Sequence, residues 1–153
     1  MKRLLSILLF IPIFGFSQYT AIPDQNFEQR LIDLGHDDVI DGQVLTANIN
    51  SVDTLQLTNI NDLTGIEDFT SLTFLYCGEN VFVQGGPLSS IDISHNINLK
   101  YLDLTQNNLT SLDVSQNINL ELLACRYNQL TSLDVSNNTK LRYFQCLGND
   151  LTF

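Results

Sequence analysis

The sequence contains none of the short motifs that mark common catalytic sites. It has no HExxH, no GxSxG, no glycine-rich phosphate loop and no CxxC pair, and each of these motifs supplies a nucleophile, a metal ligand or a phosphate cradle. Histidine, the commonest general acid or base, occurs only as His36 and His95. Neither stands in a pattern that holds it beside a nucleophile. We therefore expect no catalytic site, no cofactor and no enzymatic activity.

Basic residues are also scarce. Lys and Arg number 7 against 17 Asp and Glu, which gives a formal net charge of −10. A surface of this charge repels a phosphate backbone, so nucleic acid is not an expected partner. The acidity is interpreted as a contribution to solubility, with binding of a cation or a basic partner as the alternative.

The sequence has only one long apolar run, and this run is at the amino terminus. Lys2 and Arg3 precede an apolar stretch from Leu4 to Phe14, and Gly15-Phe16-Ser17 follows, with small residues on either side of Phe16. This pattern predicts a signal peptide over residues 1–17, cleaved before Gln18. The run is too short for a transmembrane helix, and none is predicted elsewhere. The mature protein is therefore expected to be secreted or at the cell surface.

A 21-residue repeat organises the second half of the chain. Its leading residues are Leu88, Leu109, Leu130 and Leu151, and the units read LSSIDISHNINLKYLDLTQNN, LTSLDVSQNINLELLACRYNQ and LTSLDVSNNTKLRYFQCLGND before LTF begins a fourth. A recurrence of this length predicts a solenoid, in which each coil buries its apolar face against its neighbours.

Each unit also contains two half-units. In the middle copy they are LxxLxVxxN from Leu109 and LxxLxCxxN from Leu120. This pattern resembles the leucine-rich repeat signature LxxLxLxxNxL, in the nested bacterial form with a 21-residue period. The resemblance implies an α/β-type repeat solenoid dominated by β structure, with a parallel β-sheet. The predicted strands centre on Gln56, Tyr76, Asp103, Ala124 and Gln145.

Residues 18–52 lack the repeat and are predicted to form an N-terminal cap. Asp24 can cap a helix of about ten residues in which Phe27, Leu31 and Leu34 share one face, and Gly35 can close it. The segments IPDQNFEQRLIDLG and DLTGIEDFTSLTFL resemble the cap and first repeats of internalin-type proteins. That resemblance implies protein binding, with adhesion to a host surface as one form of it.

The repeat domain is predicted to span residues 53–153. The VFVQGG stretch, Val81 to Gly86, lengthens one coil and is either a functional loop or a tolerated insertion. The last coil, ending at Leu151-Thr152-Phe153, is expected to lack a C-terminal cap, so that the repeats appear truncated. The chain is then expected either to be a fragment of a longer protein or to associate end to end through the last strand.

Several recurring polar residues are interpreted as structural. The Asn residues that end each half-unit are expected to bond the backbone at the turns. Asp92, Asp113 and Asp134 form a predicted column held by turn hydrogen bonds, with a cation as the alternative. The Asp residues of the 37–41 loop are interpreted as a turn, with calcium as the alternative. Cys77, Cys125 and Cys146 are expected to be unpaired and buried in the core.

The positions that change from coil to coil are the best candidates for binding. Strand residues alternate between the two sides of a sheet, so the side chains between the buried leucines should form columns on the outer face. The predicted binding residues are Phe74, Tyr76, Tyr101, Asp103, Leu122, Arg126, Tyr143 and Gln145. An aromatic-rich column of this kind favours recognition of a protein partner. A glycan-binding surface module is the alternative.

Overall fold

The computed structural model describes residues 18–78 and 88–152. The predicted signal peptide, the VFVQGG stretch, Asn80 and Phe153 lie outside these ranges. Within the described ranges no helix is long and apolar enough to cross a membrane.

The repeats form one parallel five-stranded sheet, in which the strands lie side by side in chain order. The strands are β3 Thr54–Gln56, β4 Phe74–Tyr76, β5 Tyr101–Asp103, β6 Leu122–Ala124 and β7 Tyr143–Gln145. The predicted solenoid with a parallel sheet is confirmed. Each predicted strand centre is the last residue of the observed strand, so the predicted centres were wrong by one residue.

The inward residues of the strands form the middle of the core. Leu55, Leu75, Leu102 and Leu123 pair in register along the sheet and are all 0% exposed. Phe144 continues this row in β7 and is 44% exposed. The row is therefore fully enclosed in four strands and open at the fifth.

Buried asparagines connect the coils on the other side of the core. The side-chain amide of Asn117 donates to the carbonyls of Ile93 and Asn96, both at 3.0 Å. Asn138 repeats this pattern one coil later, on Val114 and Asn117. The predicted bonding of Asn to the turn backbone is confirmed, and it supplies donors to carbonyls that are removed from water.

The N-terminal region contains a helix at the predicted place. Strand β1 Tyr19–Ala21 pairs antiparallel with β2 Gln43–Leu45, and helix α1 Gln25–Asp33 lies between them, with the short helix α2 Thr46–Ile49 after β2. Asp24 Oδ1 accepts the backbone N–H groups of Asn26 and Phe27, at 2.9 and 3.1 Å.

This helix packs on the first coil through its apolar side. Phe27 and Leu31 are fully buried, and the ring of Phe27 stacks on Phe69 at a centroid distance of 5.8 Å. The prediction that Leu34 shares this buried face was wrong, because Leu34 is the C-cap residue and is 40% exposed. That the helix acts as a cap stays a prediction.

Candidate functional site

The predicted binding residues lie side by side on the outward side of the sheet. Phe74, Tyr101, Leu122 and Tyr143 are in register in one column, and Tyr76, Asp103, Ala124 and Gln145 in the next. Arg126 lies two residues beyond β6, on the same side. We call this surface the strand face. It is held by backbone pairing and by the leucines behind it, so its side chains have fixed spacing.

The first column is aromatic at three of its four positions. The rings of Phe74 and Tyr101 lie 6.0 Å apart at an interplanar angle of 38°. Tyr101 is 39% exposed and Tyr143 is 63% exposed, whereas Leu122 is half-buried between them. The contact between Phe74 and Tyr101 stabilises the sheet, and the exposed ring surface remains available to another molecule.

The second column is more polar, and one of its side chains, that of Ala124, is buried. Asp103 Oδ1 accepts the backbone N–H of Thr105 at 2.9 Å. Ala124, which the alternation placed outward, is only 3% exposed because its short side chain lies between larger neighbours. Gln145 is exposed. This column therefore presents the Asp103 carboxylate and the Gln145 amide on either side of the small Ala124 side chain.

Beyond the strands, one exposed aromatic residue was missed by the sequence reasoning. Tyr127 has a positive φ of 54°, the conformation that Gln106 has at 59° and Gly148 at 75° in the neighbouring coils. It is 51% exposed, and Leu147 beside it in the next coil is 70% exposed. The signal in the sequence was the change of residue type at this slot, from Gln106 to Tyr127 to Gly148.

Three polar atoms near this end of the face have no hydrogen-bond partner although they are buried. They are Thr105 Oγ1, Gln106 Oε1 and Arg126 Nε. Buried polar atoms are nearly always paired with protein, water or ligand.

The aspartate column lies on the other half-units. Asp92, Asp113 and Asp134 each accept the backbone N–H of the serine two residues later, at 2.8 to 2.9 Å. Backbone and side-chain hydrogen bonds from that serine hold the pKa of each carboxyl below its ordinary value. The predicted turn bonding is confirmed. In the described part of the chain, no group of three or more His, Cys, Asp or Glu residues is arranged to hold a metal ion.

The 37–41 loop is organised by a carboxylate that the sequence reasoning did not single out. Glu28, 1% exposed, accepts the backbone N–H groups of Asp41, Gly42 and Gln43 at its Oε1, at 2.9, 2.7 and 3.1 Å. Burial raises the pKa of Asp37, and the negative charge of Glu28 adds to this effect. The loop is thus a turn tied to helix α1.

The cysteines lie in the core or pack against it, as predicted. Cys77 and Cys125 are buried, and Cys146 is half-buried in the last described coil. Burial raises the pKa of the Cys125 thiol to about 12, with contributions from Cys146 and Asp103. Its sulfur is therefore protonated and unreactive at neutral pH.

Solved structures with the same fold come from Listeria monocytogenes. The functional domain of InlJ, described as including a cysteine ladder, is 34% identical over 89% of this chain and 30% of its own, with a TM-score of 0.76. The internalin InlF is 17% identical over 87% of this chain and 46% of its own, with a TM-score of 0.58. Internalin C2 is 19% identical over 88% of this chain and 70% of its own, with a TM-score of 0.54.

The likeness to InlF and internalin C2 concerns the fold alone, because their identity to this chain is low. The likeness to InlJ extends to the sequence, although this chain spans less than a third of that domain. No protein-family model matches the chain, and a search of curated proteins finds no match.

Proposed function

We propose that this internalin-like leucine-rich repeat protein is a non-catalytic recognition module that binds a protein partner through the strand face. The observation that carries the proposal is the pair of exposed rings, Tyr101 at 39% and Tyr143 at 63% exposure, on a rigid sheet. The core does not need these rings, because the leucines on the opposite side of the strands fill it. Exposed tyrosines on a rigid support lose little conformational entropy on binding and are enriched at interface hot spots.

The division between constant and variable positions supports the same function. Inward positions hold Leu or Cys from coil to coil, with Phe144 in β7 as the exception, whereas the outward column changes through Phe74, Tyr101, Leu122 and Tyr143. Packing of the core requires apolar residues at the inward positions, and it places no such requirement on the outward column. The likeness to internalins indicates a protein-interaction module in general, and adhesion is the specific form we propose.

A glycan-binding surface module is the second candidate. It is favoured by the same exposed rings, because the apolar faces of sugars stack on tyrosine. A glycan array and a cell-surface protein pull-down, both with residues 18–153, separate the two. Saturable binding to a glycan in the absence of any protein partner would favour the second candidate.

Export belongs to this proposal. We propose that residues 1–17 are removed and that the protein acts outside the cell or at its surface. The basic residues and apolar run of this segment support it. N-terminal sequencing of the protein recovered from the culture medium or the cell envelope should begin at Gln18, and recovery of uncleaved protein from the cytoplasm would contradict it.

Association of two copies through β7 is a further part of the proposal. It is supported by Phe144, which is 44% exposed where the equivalent leucines are enclosed. Pairing of β7 with a second chain would bury this ring and satisfy the strand edge. Light scattering on residues 18–153 tests it, and a monomer at high concentration would contradict it.

The main test compares two double variants. Once a pull-down has identified a partner, its affinity is measured with Tyr101→Ala/Tyr143→Ala and with Ile97→Ala/Ile118→Ala. The two isoleucines are 54% exposed each and lie in the turns, away from the strand face. We expect the tyrosine variant to bind at least tenfold more weakly and the isoleucine variant to bind normally. Unchanged affinity of the tyrosine variant, with an intact circular dichroism spectrum, would overturn the proposal.

A further inference from the structure

The last described coil repeats, at an open edge, the bonding groups of the coils before it. In each earlier coil the carbonyl just before the strand accepts two backbone N–H groups of the next coil, as that of Glu121 does from Arg142 and Tyr143 at 2.9 and 3.1 Å. Arg142 occupies this place in the last coil, and no described strand follows to pair with it. Strand β7 therefore presents a hydrogen-bonding edge of the kind that takes another strand.

The core behind this edge is also incompletely covered. Phe144 is 44% exposed, whereas the leucines at the same position in the other four strands are 0% exposed. Leu133, Val135, Leu141 and Leu151 of the same coil are half-buried, and their equivalents one coil earlier are buried. This end of the solenoid can thus bury more apolar surface against another molecule.

The opposite end of the solenoid cannot take β7 of another copy, because helix α1 covers it. Arg30 Nε donates to the carbonyl of Gln56 at the end of β3, at 3.1 Å, and the ring of Phe27 stacks on Phe69. Leu55 is 0% exposed although β3 is also an edge strand. Head-to-tail stacking of copies is therefore blocked, which leaves a two-fold contact between two last coils.

The charge of the last coil permits such a contact. Asp134 and Asp150 are balanced by Lys140 and Arg142, so the formal charge of residues 130–152 is zero, whereas the whole chain carries −10. Asp134 already has Asp113 as its neighbour in the aspartate column, and one more exposed neighbour adds little repulsion. Two copies can therefore meet at this coil without the repulsion expected of the rest of the acidic chain.

We infer that two copies pair β7 with β7 in antiparallel orientation, with Phe144 opposite Phe144 of the second copy. The inference rests on the proposed association through β7 and specifies its symmetry and register. Tyr143 and Gln145 bond to the coil of β6, so the N–H and C=O of Phe144 point to the free edge. This register places inward residues opposite inward residues, and the two Phe144 rings close both cores.

The pairing joins the two strand faces into one ten-stranded surface. Tyr143, 63% exposed in the single chain, then lies directly opposite Gln145 of the second copy. The two Tyr143 side chains become diagonal neighbours, about 7 to 8 Å apart across the axis. The binding surface is continuous across this axis, so a partner that carries two recognised segments binds with higher avidity than a partner with one.

Cross-linking of two single variants tests the register. Phe144 and its copy form a hydrogen-bonded pair, so Tyr143 and the second copy's Gln145 form the adjacent non-hydrogen-bonded pair, in which side chains lie closer. Residues 18–153 are prepared as Tyr143→Cys and as Gln145→Cys with different tags, both with Cys146→Ala to remove the thiol nearest the axis. After mixing and oxidation, we expect about tenfold more disulfide between the two variants than within either one, because the diagonal distance is too long for a disulfide.

A charge at the axis should separate the two copies. Phe144→Lys places an inward-facing charge on the edge strand, a device that prevents strand pairing. We expect it to be a monomer by light scattering at concentrations at which the wild-type protein is a dimer. Leu147→Lys is the matched control, because Leu147 is 70% exposed in the same coil, and its dimer should be unchanged. Thermal melts establish that both variants are folded.

The outcomes separate this inference from the proposed function. A dimer that cross-links no better between the two cysteine variants than within one overturns the antiparallel register and leaves association through β7 standing. A dimer that survives Phe144→Lys, or a wild-type protein that is a monomer, overturns the inference together with that association. Assemblies that grow beyond two copies with concentration would show head-to-tail contact and also overturn it. Recognition by the strand face is decided separately, by Tyr101→Ala/Tyr143→Ala.

Discussion

The ring of Tyr127 rests on the α-carbon of Gly148 in the next coil. A Cβ atom added at Gly148 would lie 2.5 Å from Tyr127 Cδ1 and 3.0 Å from Cε1. Two features therefore favour glycine at this position: a side chain would clash with Tyr127, and the backbone has a positive φ of 75°. The absence of a side chain at Gly148 leaves the space that the Tyr127 ring occupies.

Gly148→Ala should consequently destabilise the protein and displace Tyr127. We expect a loss of about 1 to 3 kcal/mol in the free energy of unfolding, from backbone strain together with the clash. Gly35→Ala is the matched control, because Gly35 has a φ of 78° and nothing within 4 Å of an added Cβ. Urea denaturation of both variants measures the difference, and equal losses would show that the tyrosine moves at no cost.

Leu123→Ala and Gln145→Ala should differ strongly in stability. Leu123 is 0% exposed in the inward leucine row, where truncation of a leucine costs about 2 to 5 kcal/mol. Gln145 is exposed, so its truncation should change the free energy of unfolding by less than about 0.5 kcal/mol. Comparable losses in urea melts would contradict the assignment of inward and outward positions.

Asn117→Asp should be severely destabilising, whereas Asn119→Asp should not. The buried Asn117 amide donates to two carbonyls, and a carboxylate oxygen in its place would face both of them without a proton to share. The loss should be about 2 kcal/mol or more. Asn119 donates once, to the carbonyl of Ile97, in an exposed position. A similar melting temperature for the two variants would refute the structural role of the buried asparagines.

Asp24 should make stability depend on acid pH. Burial alone would raise its pKa, but hydrogen bonds from the backbone N–H groups of Asn61, Phe27, Asp62 and Asn26 hold the pKa below its ordinary value. A carboxyl with a lowered pKa stabilises the folded state above its unfolded-state pKa, about 3.9, and this contribution is lost as the pH falls through the folded-state value.

The test of this prediction is Asp24→Asn, with Asp33→Asn as the control on the exposed end of the same helix. At pH 7 the Asp24 variant should lose about 1 kcal/mol, as is typical of a lost helix cap. Below about pH 4 the difference from the wild-type protein should shrink. A constant difference across this range would mean that the charge of Asp24 does not contribute.

The sequence was sufficient for the parts of the structure that follow from periodicity. Because the leucines recur every 21 residues, they can be buried only in a core that the coils share. Asn117 and its equivalents recur in the same way, and the turn carbonyls are the partners available to them. The outer face followed from alternation. Ala124 was the exception, because the size of its neighbours decides whether a small side chain reaches solvent.

Features that depend on non-repeating contacts could not be predicted in this way. Glu28 is buried because three loop amides converge on it. No local sequence pattern predicts that a loop will fold back onto a given side chain. Leu34 was misplaced because the helix ends one residue before it. Tyr127 was overlooked because its slot in the repeat holds an unrelated residue in each coil.

The buried asparagines also give the stack a direction. Asn96 donates to carbonyls of Ile66 and Phe69, Asn117 to those of the coil that contains Asn96, and Asn138 to those of the coil that contains Asn117. Each of these bonds runs from a coil to the one before it, whereas the buried Asn107 and Asn128 also donate to carbonyls of their own coil. A chain that folds from its amino terminus therefore finds the acceptors for each new coil already in place. Folding can proceed one coil at a time, without waiting for the rest of the polypeptide.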